Sequence, residues 1–317
     1  MTSLATFGET MVRLSPPTGE RLETARSLEY RTAGAESNVA IVASRLGVDT
    51  TWLSKLPDSP LGRKVVGDLR RHGVETSITW SKNERQGTYY LEFGGEPRGT
   101  DVIYDREGAA ITTASFDQVD VQVIRNADVF YTSGITPALS SDVRQTVRQL
   151  IEEARNAETR TAFDLNYRSK LWSPTAAREC FEELFPNVDV LVAAQRDVRS
   201  VLDRSGSPEQ LAEELYDQYS FETVILTLGS DGALAVNSTG TYRQVAFDAE
   251  TLDPIGTGDA FVGAFLTRRI NGDTIAEALE YAAATAAIKR TLSGDAAVVT
   301  PSEVDSLLTT NENSISR

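Results

Sequence analysis

The sequence predicts an α/β protein: a doubly wound, mostly parallel sheet with helices on both faces and a small β-sheet lid. Three observations predict it. Short apolar or β-branched runs alternate with stretches of helical periodicity along most of the 317 residues, the rhythm of a parallel sheet covered by helices. Two of the runs, VDVLVAA (188–194) and FETVILTLG (221–229), are apolar without a break, as strands buried on both faces are. One stretch, RQGTYYLEFGGEPRGTDVIYDR (85–106), carries two strand-like runs around a Gly/Pro turn with no helix between them, and so stands outside the parallel sheet.

In chain order, TMVRLSPP (10–17) is expected to add a strand to that hairpin. TTWLSKL (50–56) is a strand, and LGRKVVGDLRRHG (61–73) is a helix that stops at a glycine. ADVFYTSG (127–134) leads into a helix around 141–156, and TRTAFDLN (159–166) into one near 174–185. SPEQ at 207–210 is a capping box, with Ser207 at the N-cap, Pro208 at N1 and Gln210 at N3. TPSE at 300–303 repeats it for the last helix, and the polar TTNENSISR (309–317) is expected to fray. No repeat, low-complexity stretch or interdomain linker interrupts 1–317, so one domain is expected, with 10–17 and 85–106 as its lid. Such a layer can close over a crevice at the carboxyl ends of the sheet strands; the plain alternative is a surface hairpin.

Composition excludes several functions. The single cysteine, Cys180, forbids an intrachain disulfide and suits a reducing cytoplasm. With one histidine, His72, the chain lacks the means for a Cys/His zinc cluster and argues against a Ser-His-Asp triad. His72 reads as an exposed helix end and Cys180 as a small core residue. The formal charge of −15 repels nucleic acid and anionic membranes. No apolar run approaches the ~18 residues of a membrane span, and the N-terminus has no signal-peptide pattern. Only five of the 31 basic residues are lysine. An acid-rich, lysine-poor surface resembles that of salt-adapted cytoplasmic proteins, for which a Debye length of about 3 Å at 1 M salt screens the self-repulsion.

The chemistry concentrates in LDPIGTGDAFVGAF (252–265). Gly256 and Gly258 permit a close approach of ligand to backbone, and the apolar run from Ala260 to Leu266 is a buried helix. Its first turn leaves N–H groups without intrahelical partners, which with about half a unit of dipole charge make an anion site. Asp259 then has two explanations. It is a favourable first-turn acid, or it is a base beside a phosphoryl site, where catalysis is positioning, charge stabilisation and activation of the nucleophile. A Walker A sequence and the protein-kinase motifs are absent.

DPIGTGDAFVGAF closely resembles the D-T-x-G-A-G-D-x-F-x-x-G signature of the PfkB/ribokinase family of carbohydrate kinases. AGAESNVAIVASRLG (33–47) resembles the family's G-G-x-x-x-N-x-A, with Ala33 in place of the first Gly. LPDSPLGRKV resembles the G-x-D-x-x-G segment and LTLGSDGAL (226–234) the T-x-G-x-x-G turn. The likeness covers the whole chain and implies a doubly wound domain with a β-lid. By the same resemblance Asp259 is the catalytic base and the amides of Gly256, Thr257 and Gly258 form the anion hole. Thr227, Gly229 and Gly232 lie along ATP, with Ala283 beside the adenine. The family's N-x-x-E is altered: AAQRDV has Ala194 and Asp197, so Asp197 is the residue left to meet the magnesium and phosphate environment. ATP and Mg2+ are the implied cofactors, a K+ requirement is left open, and lid edges that pair between subunits imply a homo-oligomer.

VIYDREGAA (102–110), YTSGITPALS (131–140) and DLNYRSKLWS (164–173) are similar to segments of 2-keto-3-deoxygluconate kinases. The chemistry agrees, since a keto sugar acid brings a carboxylate that arginine matches as a fork. Arg106 on the lid and Arg168 after a sheet strand are the candidates, although with 26 arginines in the chain a surface ion pair is the alternative for each. Tyr89 and Tyr104 supply hydroxyls and apolar cover, and Gly34 and Asn38 line the sugar pocket. The expected reaction is ATP-dependent phosphorylation of the terminal C6 hydroxyl. Another PfkB sugar kinase (fructokinase or ribokinase) and a non-catalytic sugar-binding protein are the alternatives.

Overall fold

The computed structural model describes residues 3–94 and 97–315. The chain starts with β1 (Leu4–Phe7), leaves the main sheet for β2 (Met11–Ser15) and β3 (Glu29–Ala33), and returns through α1 (Ala35–Arg45). Then follow β4 (Thr50–Pro57), α2 (Pro60–Arg71) and β5 (Glu75–Ser81), and the hairpin of β6 (Thr88–Phe93) and β7 (Thr100–Asp105). After α3 (Val121–Arg125) the alternation is regular: β8 (Val129–Ser133), α4 (Ser141–Asn156), β9 (Arg160–Asp164), α5 (Pro174–Leu184), β10 (Val190–Ala194), α6 (Gln195–Val201), α7 (Pro208–Tyr219) and β11 (Thr223–Thr227). The chain closes with the antiparallel β12 (Ala233–Asn237) and β13 (Gly240–Gln244), then α8 (Thr257–Ile270), α9 (Ile275–Arg290) and α10 (Pro301–Ile315).

Nine strands form one sheet in the order β13-β12-β11-β10-β9-β8-β1-β4-β5, parallel from β11 to β5. The expected parallel sheet with helices on both faces is therefore present. Alternation along each strand feeds two apolar layers. Ala5, Phe130, Phe163, Leu191 and Val224 face the α4/α5/α7 side. Leu4, Tyr131, Ala162, Val192 and Ile225 face the α1/α8/α9 side. Cys180 is a free, buried thiol in the first layer, as its apolar position predicted. The capping boxes of α7 at Ser207/Gln210 and of α10 at Thr300/Glu303 both form.

The four-stranded second sheet, β3-β2-β6-β7, contains the strands expected within 10–17 and 85–106. Gly95 and Glu96, between β6 and β7 in the sequence, lie outside the described residues. The sheet's outer strand β3 was not foreseen: EYRTA shows no clean alternation of apolar and polar residues, and backbone pairing to β2 holds it. The β12–β13 hairpin at the far edge of the main sheet was likewise unmarked by the strand–helix rhythm. The fraying expected at 309–317 is corrected up to Ile315, because α10 runs that far; Ser316 and Arg317 lie outside the described residues. Hydroxyls of Ser306, Thr309 and Thr310 bond back to carbonyls four residues earlier, so these polar side chains are satisfied on the helix itself.

Helices α1 and α8 approach closely because residue 263 is glycine: a Cβ there would sit 2.8 Å from Val42 Cβ and 2.9 Å from Val39 O. Gly67 on α2 is also helical but has nothing within 4 Å of its missing Cβ. Gly263→Ala is therefore expected to lower stability by about 1–3 kcal/mol through overpacking. Gly67→Ala is expected to raise it by roughly 0.5–1 kcal/mol. Denaturant midpoints measured at one fixed KCl concentration check both.

Candidate active site

The carboxyl ends of β9, β10 and β11, the N-terminus of α8 and the inner face of the small sheet enclose a cavity of about 660 Å³. Gly34, Asn38, Tyr89, Tyr104, Arg106, Arg168, Asp197, Thr227 and the whole run 256–259 line it. These are twelve of the fifteen residues that the sequence singled out. Gly229 and Gly232 lie instead in the turn from β11 to β12, and Ala283 is buried in the apolar layer along α9; none of the three lines this cavity.

The floor is the start of α8. Gly256 is its N-cap in the left-handed region, with φ 80°. A Cβ there would fall 1.8 Å from the carbonyl oxygen of Asp295, so both conformation and contact require glycine. Thr257 is tied down through its N–H and Oγ1 to Pro254 O, at 3.3 and 2.7 Å. The first intrahelical bond runs from Ala260 N–H to Gly256 O. The N–H groups of Gly258 and Asp259 stand before it without intrahelical partners, donors of the kind a helix start offers to an anion. Of the amides expected there, Thr257's has an internal acceptor, and Asp259's own N–H joins Gly258's.

Asp259 accepts a 2.7 Å hydrogen bond from Asn38 Nδ2 on α1. Burial raises its pKa to about 6, opposed by that bond and by Arg168. Across the cavity, Asp164 closes β9, with one oxygen bonded to Asn166 N–H at 3.1 Å. Burial first, and then the charge of Asp259, raise its pKa to about 8. The two titrate in order, because Asp259 ionises first and its charge holds the proton on Asp164. Asn166 takes a left-handed conformation, φ 36°, and this kink turns Arg168 back towards the site. Arg168 is steadied by the carbonyls of Asn166 and Tyr167, at 3.4 and 3.2 Å. Asp197, in the first turn of α6, is buried with its pKa raised by burial and lowered by Arg196 and Arg168.

Lid residues form the opposite wall. The guanidinium of Arg106 stacks 4.5 Å from the Tyr104 ring centroid and pairs with Glu9 at 3.4 Å. Tyr89 gives its hydroxyl to Asp295 at 2.7 Å, so that hydroxyl is engaged within the protein. Arg13 on β2 binds Asp295 and, at 3.5 Å, Asp253. Asp253 in turn accepts from the N–H groups of Ile255 and Gly294, both at 3.0 Å. Beneath them Lys289, with no exposed surface, donates to Asp253 O at 3.0 Å and Leu292 O at 3.2 Å. A buried chain of charges thus joins the lid, the cradle loop and the loop after α9.

Sequence inspection missed Glu9, Asp164, Asp295 and Lys289. Asp164 had a signal, two residues before Asn166 in the segment quoted for Arg168. Lys289, one of five lysines, sits in an otherwise apolar stretch of α9, which marks a buried charge. Glu9 and Asp295 carry no local mark.

Residues 1–302 match the family described as pfkB family carbohydrate kinase. The chain is 60% identical over 314 residues to a 2-dehydro-3-deoxygalactonokinase of Haloferax volcanii, covering 99% of each. It is 32% identical over 313 residues to a 2-dehydro-3-deoxygluconokinase of Thermoproteus tenax, covering 97% of this chain and 94% of the relative. The crystal structure of a 2-dehydro-3-deoxygluconokinase from Thermotoga maritima superposes with a TM-score of 0.91 at 32% identity, covering 97% of this chain and 98% of that one. The Haloferax relative agrees with the salt-adapted composition. With its signature residues gathered around one cavity, the chain belongs to the pfkB family of carbohydrate kinases, as an ATP-dependent sugar kinase of ribokinase-like fold.

Proposed function

We propose that the protein transfers the γ-phosphoryl group of ATP to the terminal C6 hydroxyl of a 2-keto-3-deoxy hexonate. One observation carries this: a carboxylate at the N-terminus of α8 and two arginines, Arg106 and Arg168, line the same cavity. The carboxylate suits the base and the helix start suits the phosphoryl group. The arginines suit the acid end of the sugar, whereas a neutral hexose asks for hydrogen-bonding side chains instead. Asp259 accepts the proton of the hydroxyl. The Gly258 and Asp259 amides stabilise charge on the phosphoryl oxygens. Gly34 and Asn38 border the sugar. Thr227, with the turn through Gly229 and Gly232, points to the nucleotide side, and Ala283 is carried with it.

We assign Mg2+ to the nucleotide's phosphates, meeting one or two carboxylates of the protein, and Asp197, which lines the cavity, is the candidate. Bound there, Mg2+ supplies neutralisation of phosphate charge.

The substrate epimer follows the relatives. The gluconate-derived acid fits the segments around Arg106 and Arg168, and the 60% identical Haloferax protein is named for the galactonate-derived one; the two acids differ only at C4. We assign both as substrates of a cytoplasmic enzyme. Among the described residues no helix is long and apolar enough to cross a membrane.

A homo-oligomer is proposed through the outer face of the small sheet. Strand register lines Tyr30, Leu14, Tyr90 and Ile103 across its four strands, and Tyr30 and Ile103 are 39% and 51% exposed. Light scattering of Ile103→Glu should show a smaller particle than the parent; an unchanged mass removes this assignment.

Asp259→Asn should lower kcat by about 10²–10⁴ with an unchanged melting profile, and near-normal turnover would remove Asp259 as base. In the parent, kcat/KM should fall as pH drops through about 6, where Asp259 takes up its proton. Asn38→Ala should move that acid limb upward, because the lost hydrogen bond favoured the charged form. Arg168→Ala should cost about 1.5–3 kcal/mol of substrate binding, appearing mainly as a raised KM. A panel of both keto acids, fructose and ribose, run in KCl and in NaCl, tests the substrate class. Preference for a neutral sugar overturns it, and ATP turnover with none of them points to a non-catalytic protein.

A further inference from the structure

Glu9 lies where the chain passes from β1 to β2, and it is 4% exposed. Neither of its carboxylate oxygens has a hydrogen-bond partner. Its one counter-charge is Arg106, at 3.4 Å. A Cβ on Gly87 would lie 3.0 Å from Glu9 Oε1, so the glycine there leaves the carboxylate its place beside Arg106. On its side, Arg106 Nη2 meets Glu9 at 3.4 Å and donates to Met11 Sδ at 3.6 Å, and Nε and Nη1 are buried without a partner, while Tyr104 stacks on the guanidinium. Both residues line the large cavity.

The other charges near Glu9 are committed elsewhere. Lys55 of β4 and Arg85, ahead of β6, line a small space behind it. Lys55 Nζ donates to Thr113 O and Oγ1, at 3.0 and 2.8 Å, with Glu84 at 3.9 Å. Arg85 is held by Asp105. A buried carboxylate with one cation and no hydrogen bond is costly to keep charged, and burial pushes the Glu9 pKa up against the pull of Arg106.

We infer that Glu9 is a specificity-determining residue, the internal counter-ion of Arg106 that the carboxylate of the substrate displaces. The inference rests on the sugar-acid reading above. In the structure, Glu9, Met11 and Tyr104 hold the guanidinium at the cavity wall with two of its nitrogens unpartnered. When a second carboxylate meets Arg106, the guanidinium is shared between two anions, and Glu9 takes up a proton from solvent. A neutral sugar triggers no such uptake and leaves Arg106 paired with Glu9. Binding of the acid is thus coupled to one proton. The sign follows: affinity for the acid is greatest at low pH and weakens as pH rises through the range in which Glu9 ionises. The change is at most about tenfold per pH unit.

The experiment compares the parent enzyme with Glu9→Gln, which keeps the shape and removes the charge. KM and kcat for the keto acid are measured from pH 6 to 9 at fixed salt, and calorimetry in two buffers of different ionisation heat counts protons taken up on binding. Asp164 and Asp259 titrate in both proteins, so the difference between the two profiles reads Glu9. The parent should take up close to one proton more than Glu9→Gln, and its KM should climb at high pH where that of Glu9→Gln stays lower. The kcat profiles should coincide, and Glu9→Asp should restore the uptake. Equal proton counts and parallel KM profiles would overturn the inference, as would an equal change of KM for an uncharged sugar. Should Glu9→Gln not fold, absence of proton uptake by the parent between pH 7 and 9 overturns it. A parent that neither binds nor phosphorylates any keto acid instead sinks the sugar-acid reading.

Discussion

The hydrogen bond from Asn38 Nδ2 to Asp259 Oδ2, at 2.7 Å, is the contact on which the site depends. It joins α1 to α8 across 221 positions of sequence. Its geometry is set by the packing that Gly263 allows against Val39 and Val42. The segments proposed for sugar and phosphate, 33–38 and 256–259, are thereby held at one separation, the condition for an in-line reaction between groups bound to different elements. The same bond holds Asp259 to one orientation and pulls its pKa back towards the charged form that a base needs.

A second constraint places the lid. Arg13, Asp253, Asp295 and Lys289 form a buried polar chain from β2 to the loops on either side of the cradle. Buried ion pairs contribute little net stability, because desolvation offsets the attraction, yet breaking one is costly. Position is the better account of why they are here. Gly256 rests on the Asp295 carbonyl, while the Asp295 side chain holds both Arg13 and Tyr89. A shift of the small sheet would therefore be felt at the start of α8, and the lid and cradle behave as one assembly.

How much of this was legible follows the range of the interactions. The main sheet was visible because parallel strands buried on both faces need unbroken apolar runs such as 188–194. The start of α8 was visible because a ligand-approaching turn, an acid and a buried helix fall within fourteen residues, 252–265. β3 was hidden, since EYRTA is held by backbone pairing and leaves its side chains partly exposed. Arg106 and Arg168 could be chosen by the chemistry of their segments. Glu9 and Asp295 could not, because their meaning lies in partners far along the chain: Tyr89 and Asp295 are 206 positions apart. Asp164 stood in a segment already singled out, but its raised pKa comes first from burial and then from the charge of Asp259, both of which only the fold supplies.

A protein of net charge −15 must still accept an anion beside ATP, and the cavity resolves this by withholding charge. Its carboxyl groups do not ionise together. Asp259, pushed to about 6, is the first of three to lose its proton. Glu36, buried beneath the sugar side with Ser133 and Thr136 donating to it, follows at about 7. Asp164 follows at about 8. Near neutrality the base is charged while the acid facing it across the cavity keeps its proton. An incoming carboxylate then meets the arginines with one anion fewer in the wall. Burial raises all three, and the Asn38 hydrogen bond with the charge of Arg168 holds Asp259 nearest to the ionised form that the proposed base needs.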